Sequence, residues 1–139
     1  MAKVSVVILD VWKNCGMSML LLLAGLQNID TNVLEAASID GANSVQKFFK
    51  VTLPLLSPQL FFVLVMHMTG SLRIYESIYV LTGGGPGDAT MSLVQLIAEK
   101  AFTSWKYGQA SALSMILLLL VLIVTAFQFI GSKWWVNYD

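Results

Sequence analysis

Residues 108–130 contain no Asp, Glu, Lys or Arg, and that stretch constrains the fold more than any other. A helix rises 1.5 Å per residue, so about 20 mainly apolar residues cross the ~30 Å hydrocarbon core of a bilayer. Two further windows meet that length, 4–26 and 58–81. The chain is 57% hydrophobic and 12% charged, against roughly 45–50% and about 25% in soluble domains. Its mean hydropathy is +0.75. The expectation is an all-α, polytopic helical membrane protein with three transmembrane helices, joined by loops over 28–57 and 82–107. Lys133, Trp134 and Trp135 follow the last window, where an interfacial belt belongs. No internal repeat, heptad run or low-complexity tail interrupts this pattern.

Charge is less informative. Eight Lys and Arg balance eight Asp and Glu, so nothing directs the chain to nucleic acid or to an anionic surface. Lys47, Lys50 and Lys133 fall on one side of the three-span topology and Lys3, Lys100 and Lys106 on the other. The positive-inside rule therefore gives a tie. Cys15 sits in an apolar run and reads as a packing residue. Because the apolar character persists from Val4 to Leu26 with no small-residue cleavage site, the first window reads as a retained span and not a signal peptide. Ser57 and Pro58 are placed to start the second span, as cap and first helical residue.

Between the first two windows lies a polar island. Asn32 followed three residues later by Glu35 fits a capping box, which predicts a helix over 33–40 that stops at Gly41. A second short helix would begin near Ser44, carry Val45, Phe48, Phe49 and Thr52 to the membrane surface, and break at Pro54. Ala36, Ala37 and Ala42 keep the surface thin, while Glu35 and Asp40 offer carboxylates. On an ordinary loop the same carboxylates would only solvate the chain.

The residues Glu35, Ala36, Ala37, Asp40, Gly41 and Ala42, with Phe49, Leu53 and Pro54, resemble the EAA loop of binding-protein-dependent ABC importer permeases of the MetI-like kind. The resemblance extends over nearly the whole chain and matches the second half of such a permease core. It implies that the 28–57 loop is cytoplasmic and couples to an ATPase, which orients the chain where charge does not. It also implies a second permease subunit, cytoplasmic ATP-binding subunits and an extracytoplasmic solute-binding protein as partners. The location implied is the bacterial inner membrane, crossed several times.

The second window ends in Gly83, Gly84, Gly85, Pro86 and Gly87, which force a turn. A phosphate-cradling loop needs Gly-Lys-Ser/Thr leading into a helix, and that is missing. Leu81, Thr82 and this turn, preceded by Glu76, Ile78 and Tyr79, resemble a segment of the sugar and glycerol-phosphate branch of the same permeases. Glu76 stands where Asp is usual and Tyr75 where Phe is usual. An amphipathic helix is predicted over 91–102, with Leu93, Leu96, Ile97 and Ala101 on its apolar face and Gln95, Glu99 and Lys100 off it. Gly108, Ala110, Ser111 and Ala112 then open the last span with small side chains that allow close helix approach.

Ionisable groups at bilayer depth cost about 2.5–3.5 kcal/mol on insertion scales and face a cavity or a partner. Thr69, Arg73 and Glu76 would share one face of a continuous helix, with Arg73 and Glu76 offsetting each other; Asp10 and Lys13 invite the same reading. With Tyr75 and Tyr79 they form a candidate translocation path for a polar solute such as a sugar; an interfacial ion pair beside belt tyrosines is the plainer reading. His67 reads as an interhelical contact. No metal-ligand spacing, no cofactor motif and no nucleophile–base pair is present. The chain is thus expected to be a non-enzymatic permease subunit of a carbohydrate importer. A transport-inactive membrane fragment, or a permease for another polar solute, is the alternative.

Overall fold

A computed structural model describes residues 1–136. The elements in chain order are α1 (Ala2–Gln27), α2 (Thr31–Ile39), α3 (Ser44–Lys47), α4 (Leu53–Leu55), α5 (Ser57–Leu72), α6 (Glu76–Leu81), α7 (Leu93–Ala98) and α8 (Tyr107–Ser132), with wide π turns at Phe48–Thr52 and Glu99–Thr103. Among the described residues no strand occurs. Helices α1 and α8 are each 26 residues long and apolar enough to cross a membrane. A third crossing is reached only by joining Ser44–Leu55 to Ser57–Leu72, which meet at a 63° bend.

The 58–81 window is therefore not one helix. Helix α5 ends at Leu72, and α6 starts only at Glu76. The cause is local. The Ser71 hydroxyl donates to the His67 carbonyl at 2.8 Å, and the Arg73 and Ile74 amides bond three residues back, to Gly70 and Ser71. The last turn tightens and the ladder stops. With 16 residues, α5 alone is shorter than the ~20 needed to span.

Contacts group the chain into two compact units, one of Met1–Asn14 with His67–Phe127 and the other of Cys15–Met66 with Gln128–Asp139. In the second unit, α1 and α5 approach closely at Gly25. A methyl group there would lie 2.3 Å from Cγ of Gln59 and 2.8 Å from Cδ1 of Leu56. Leu56 and Phe61 are each 6% exposed, and Phe61 meets Phe129 edge to face, centroids 5.3 Å apart. Trp135 covers the same ring, whereas Trp134 is 90% exposed. Only one of the two tryptophans packs on the protein.

The first unit is held by Val6, Ile78 and Ala110, all buried. Of the small residues opening α8, Ala110 alone is buried, while Gly108, Ser111 and Ala112 are exposed. Helix α7 is capped by Ser92, whose hydroxyl accepts from the Gln95 amide. The predicted contrast between two faces is not seen in its burial: Gln95 is the buried position, and Leu93, Leu96, Ile97, Glu99 and Lys100 are all half-buried.

Candidate functional site

The hairpin at 30–55 closes on itself. Asp30, not Asn32, caps α2, accepting from the Asn32 amide at 2.9 Å. Asp30 has the extended backbone of a cap residue, φ −62° and ψ 125°, and its carboxylate serves the second amide of the helix. At the other end the Ala42 amide bonds to Ala37 O at 3.0 Å and the Gly41 amide to Ser38 O at 3.1 Å. That pair is a Schellman ending, with Gly41 at φ +81° as the left-handed residue it requires. The expected glycine turn is in place.

Helix α3 begins at Ser44 with a complete capping box between Asn43 and Gln46. Lys47 Nζ donates to Ser38 Oγ at 3.0 Å, tying α3 to α2, and Ser38 in turn donates to Leu34 O. The predicted break at Pro54 falls instead at Leu56, because Pro54 sits in the first turn of α4. Proline clashes with the carbonyl four residues back in a regular helix. Here the preceding π turn already carries the ladder to the fifth residue, Leu53 N–H bonding to Phe48 O. Proline thus enters an already open ladder.

Glu35, Ala36, Asp40, Gly41 and Phe49 are exposed, and Ala37, Ala42, Leu53 and Pro54 are half-buried. Phe48 and Phe49 stack edge to face at 5.1 Å. Leu53 and Pro54 line a cavity of about 290 Å³ with Ser57, Leu60 and Trp135. The hairpin is a preformed projection with two carboxylates and a bare glycine at its tip. Chemically, exposed carboxylates on a braced hairpin can dock.

The candidate path residues divide differently from expectation. The break at 73–75 removes the helical period that would put Thr69, Arg73 and Glu76 on one face. Glu76 pairs with Lys13 of α1 and not with Arg73, so the Asp10–Lys13 pair also does not form among the described residues. Arg73 is exposed and Thr69 and His67 are half-buried. Tyr75 and Tyr79 do come together, their rings stacked at 5.4 Å and 19°.

The glycine turn leads straight to a cluster that includes those tyrosines. Gly83, Gly84 and Gly87 take φ of +58°, +98° and +55°, and the Gly85–Pro86 bond is cis. Thr82 and Thr90 share a hydroxyl contact of 2.7 Å, and Thr90 Oγ1 donates to Gly85 O at 2.9 Å. Gln95 lies over Gly84, its Nε2 3.0 Å from where a β-carbon would stand. Tyr75, Tyr79, Gln95, Glu99 and Thr103 line one cavity of about 340 Å³. Gln95, Glu99 and Thr103 were not foreseen as part of it; the Gln-x-x-x-Glu-x-x-x-Thr spacing was the available signal, since residues four apart share a helical face. Among the described residues no cluster of three His, Cys, Asp or Glu could hold a metal.

Residues 2–135 match the family described as "Binding-protein-dependent transport system inner membrane component". The chain is 42% identical over 137 residues to the "Probable ABC transporter permease protein YesP" of Bacillus subtilis, covering 97% of this chain and 44% of that protein. It is 47% identical over 121 residues to the "Trehalose/maltose transport system permease protein MalF" of Thermococcus litoralis, covering 87% and 41%. Over 129 residues it is 40% identical to the "sn-glycerol-3-phosphate transport system permease protein UgpA" of Agrobacterium fabrum, covering 92% and 44%. It spans less than half the length of these curated relatives.

Proposed function

The chain belongs to the family of binding-protein-dependent transport system inner membrane components, and from that premise we propose that it acts as part of the permease of an ABC importer for a carbohydrate or related polar solute. Relatives named for trehalose and maltose and for sn-glycerol 3-phosphate support this choice of solute class. The 30–55 hairpin is the coupling element in this reading. It seats in a cytoplasmic ATP-binding subunit, and ATP is hydrolysed there, not on this chain. A second permease subunit and an extracytoplasmic solute-binding protein complete the machine in the inner membrane.

The observation that carries the reading is the closure of the hairpin by its own bonds while Glu35, Asp40 and Gly41 stay exposed. A projection braced by the Lys47–Ser38 bond and the Schellman ending moves as one piece. Displacing it transmits through α3, the π turn and α4 to the 63° bend before α5. Nucleotide-driven closure of the motor subunits then biases the packing of the spans, a shear or rocking transition. Glu35 and Asp40 supply specificity at the rim of the contact more than affinity.

The test is uptake by the assembled transporter. Glu35→Lys reverses a docking charge, and Gly41→Pro imposes φ near −65° where the hairpin needs +81°. Both should abolish uptake while the protein still inserts, and a cysteine placed at Ser38 should cross-link to the ATP-binding subunit. Normal uptake by both variants, or labelling of that cysteine only from outside the cell, overturns the assignment.

A further inference from the structure

The cavity beside the glycine turn has a lining that the sequence does not suggest. Gln95 is 7% exposed, and its Oε1 is buried beside Gly84 with no hydrogen-bond partner, so it gains one by turning its amide toward the cavity its side chain lines. Buried polar atoms are normally satisfied, and an orphan marks a place where a partner is missing. Glu99 and Thr103, one and two turns further on, add a carboxylate and a hydroxyl to the same wall, and the stacked Tyr75 and Tyr79 form another. At about 340 Å³ the space is at the lower end of small-molecule sites, which run about 300–1,000 Å³.

We propose that this cavity binds one ring of a neutral, hydroxyl-rich solute, a site on the solute's route that rests on the importer reading above. Its polar lining is rich in acceptors: Gln95 Oε1, the Glu99 carboxylate and the Thr103 hydroxyl oxygen. Those acceptors call for a ligand that donates O–H bonds. An anion would meet the Glu99 carboxylate with no cation among the lining residues. A cation is not required, because Lys100 Nζ already lies 3.5 Å from Glu99 Oε1. The tyrosine rings offer flat apolar surface to the C–H face of a sugar ring, while Gln95 fixes its hydroxyls. Gly84 permits this by leaving room for the Gln95 amide.

The test is ligand-observed NMR on the full chain in lipid nanodiscs, with glucose as the probe and glucose 6-phosphate and choline as charged comparators. Saturable transfer to glucose ring protons is expected. Gln95→Met, which keeps shape and removes the acceptor, should weaken glucose binding about tenfold, the worth of one buried hydrogen bond. Tyr79→Leu should weaken it similarly and Tyr79→Phe hardly at all; Tyr79 is 60% exposed, so neither threatens folding. No transfer to glucose, equal transfer in Gln95→Met and Tyr79→Leu, or tighter binding of either charged probe overturns the proposal. Since no ATP-binding subunit is present, these outcomes are separate from failure of the coupling reading, which shows only in uptake by the Glu35 and Gly41 variants.

Discussion

Trp135 packs edge to face on Phe61, the ring centroids 6.1 Å apart and the planes at 80°. Phe61 is 6% exposed and Trp135 45%, so the two rings do not carry equal weight. Phe61→Ala opens a cavity against Phe129 as well and should cost about 3–5 kcal/mol. Trp135→Ala loses one aromatic contact, about 0.5–1.5 kcal/mol plus the area it covers. Denaturation in detergent micelles should rank Phe61→Ala well below Trp135→Ala in stability, with Trp134→Ala near wild type.

Gly25 should tolerate no side chain. A β-carbon would stand 2.3 Å from Cγ and 3.0 Å from Cβ of Gln59, atoms too near the backbone to swing away. Gly25→Ala should lower stability by about 1–3 kcal/mol, the usual cost of overpacking, and Gln59→Ala should restore part of it. Gly16→Ala, with open space around it, is the control. The thermal midpoint of the purified protein checks all three.

Lys13 and Glu76 join α1 to α6 by an ion pair whose side chains are 49% and 75% exposed. A pair this exposed is screened by water and salt and contributes little on its own. Lys13→Glu or Glu76→Lys alone should destabilise by repulsion, and the double exchange should recover most of the loss. A double-mutant cycle that yields no coupling at low salt would refute the pairing.

At Gly84 two penalties coincide, a φ of +98° and the Gln95 amide 3.0 Å from the β-carbon position. Gly84→Ala should cost about 1–3 kcal/mol and displace the α7 helix locally. Gly108→Ala, in open space at the start of α8, should cost nothing measurable. Hydrogen exchange of the Gln95 backbone N–H, which donates to Ser92 Oγ at 3.1 Å, reports the displacement directly.

Features set by a residue and its near neighbours were legible in the sequence. The charge-free window at 108–130 became α8, and Gly41 ended α2 because only a left-handed residue completes that ending. The break after Leu72 was not legible. It shows only in the Arg73 and Ile74 amides bonding three residues back, which hydropathy does not register. Gln95 was placed on the polar side because a glutamine is polar; the space beneath Gly84 that accepts it is a tertiary fact. Likewise Glu76 had a basic residue three positions away in sequence, but the break moved it onto Lys13. In the candidate site, the two helices and the Gly41 turn of the hairpin could be read from the sequence, while its Asp30 cap, its break at Leu56 and the cavity could not.

The π turn at Phe48–Thr52 stores an odd residue. Wide turns of this kind amount to a single insertion in an α-helix, so removing one residue there lets the ladder close without a gap. Leu53 N–H would keep its bond to Phe48 O, now four residues back, so the helices on either side keep their phase and Glu35 and Asp40 keep their direction. A deletion of Lys50 would thus leave the hairpin aimed as before, whereas a deletion in a regular turn would swing it by about 100° around the helix axis.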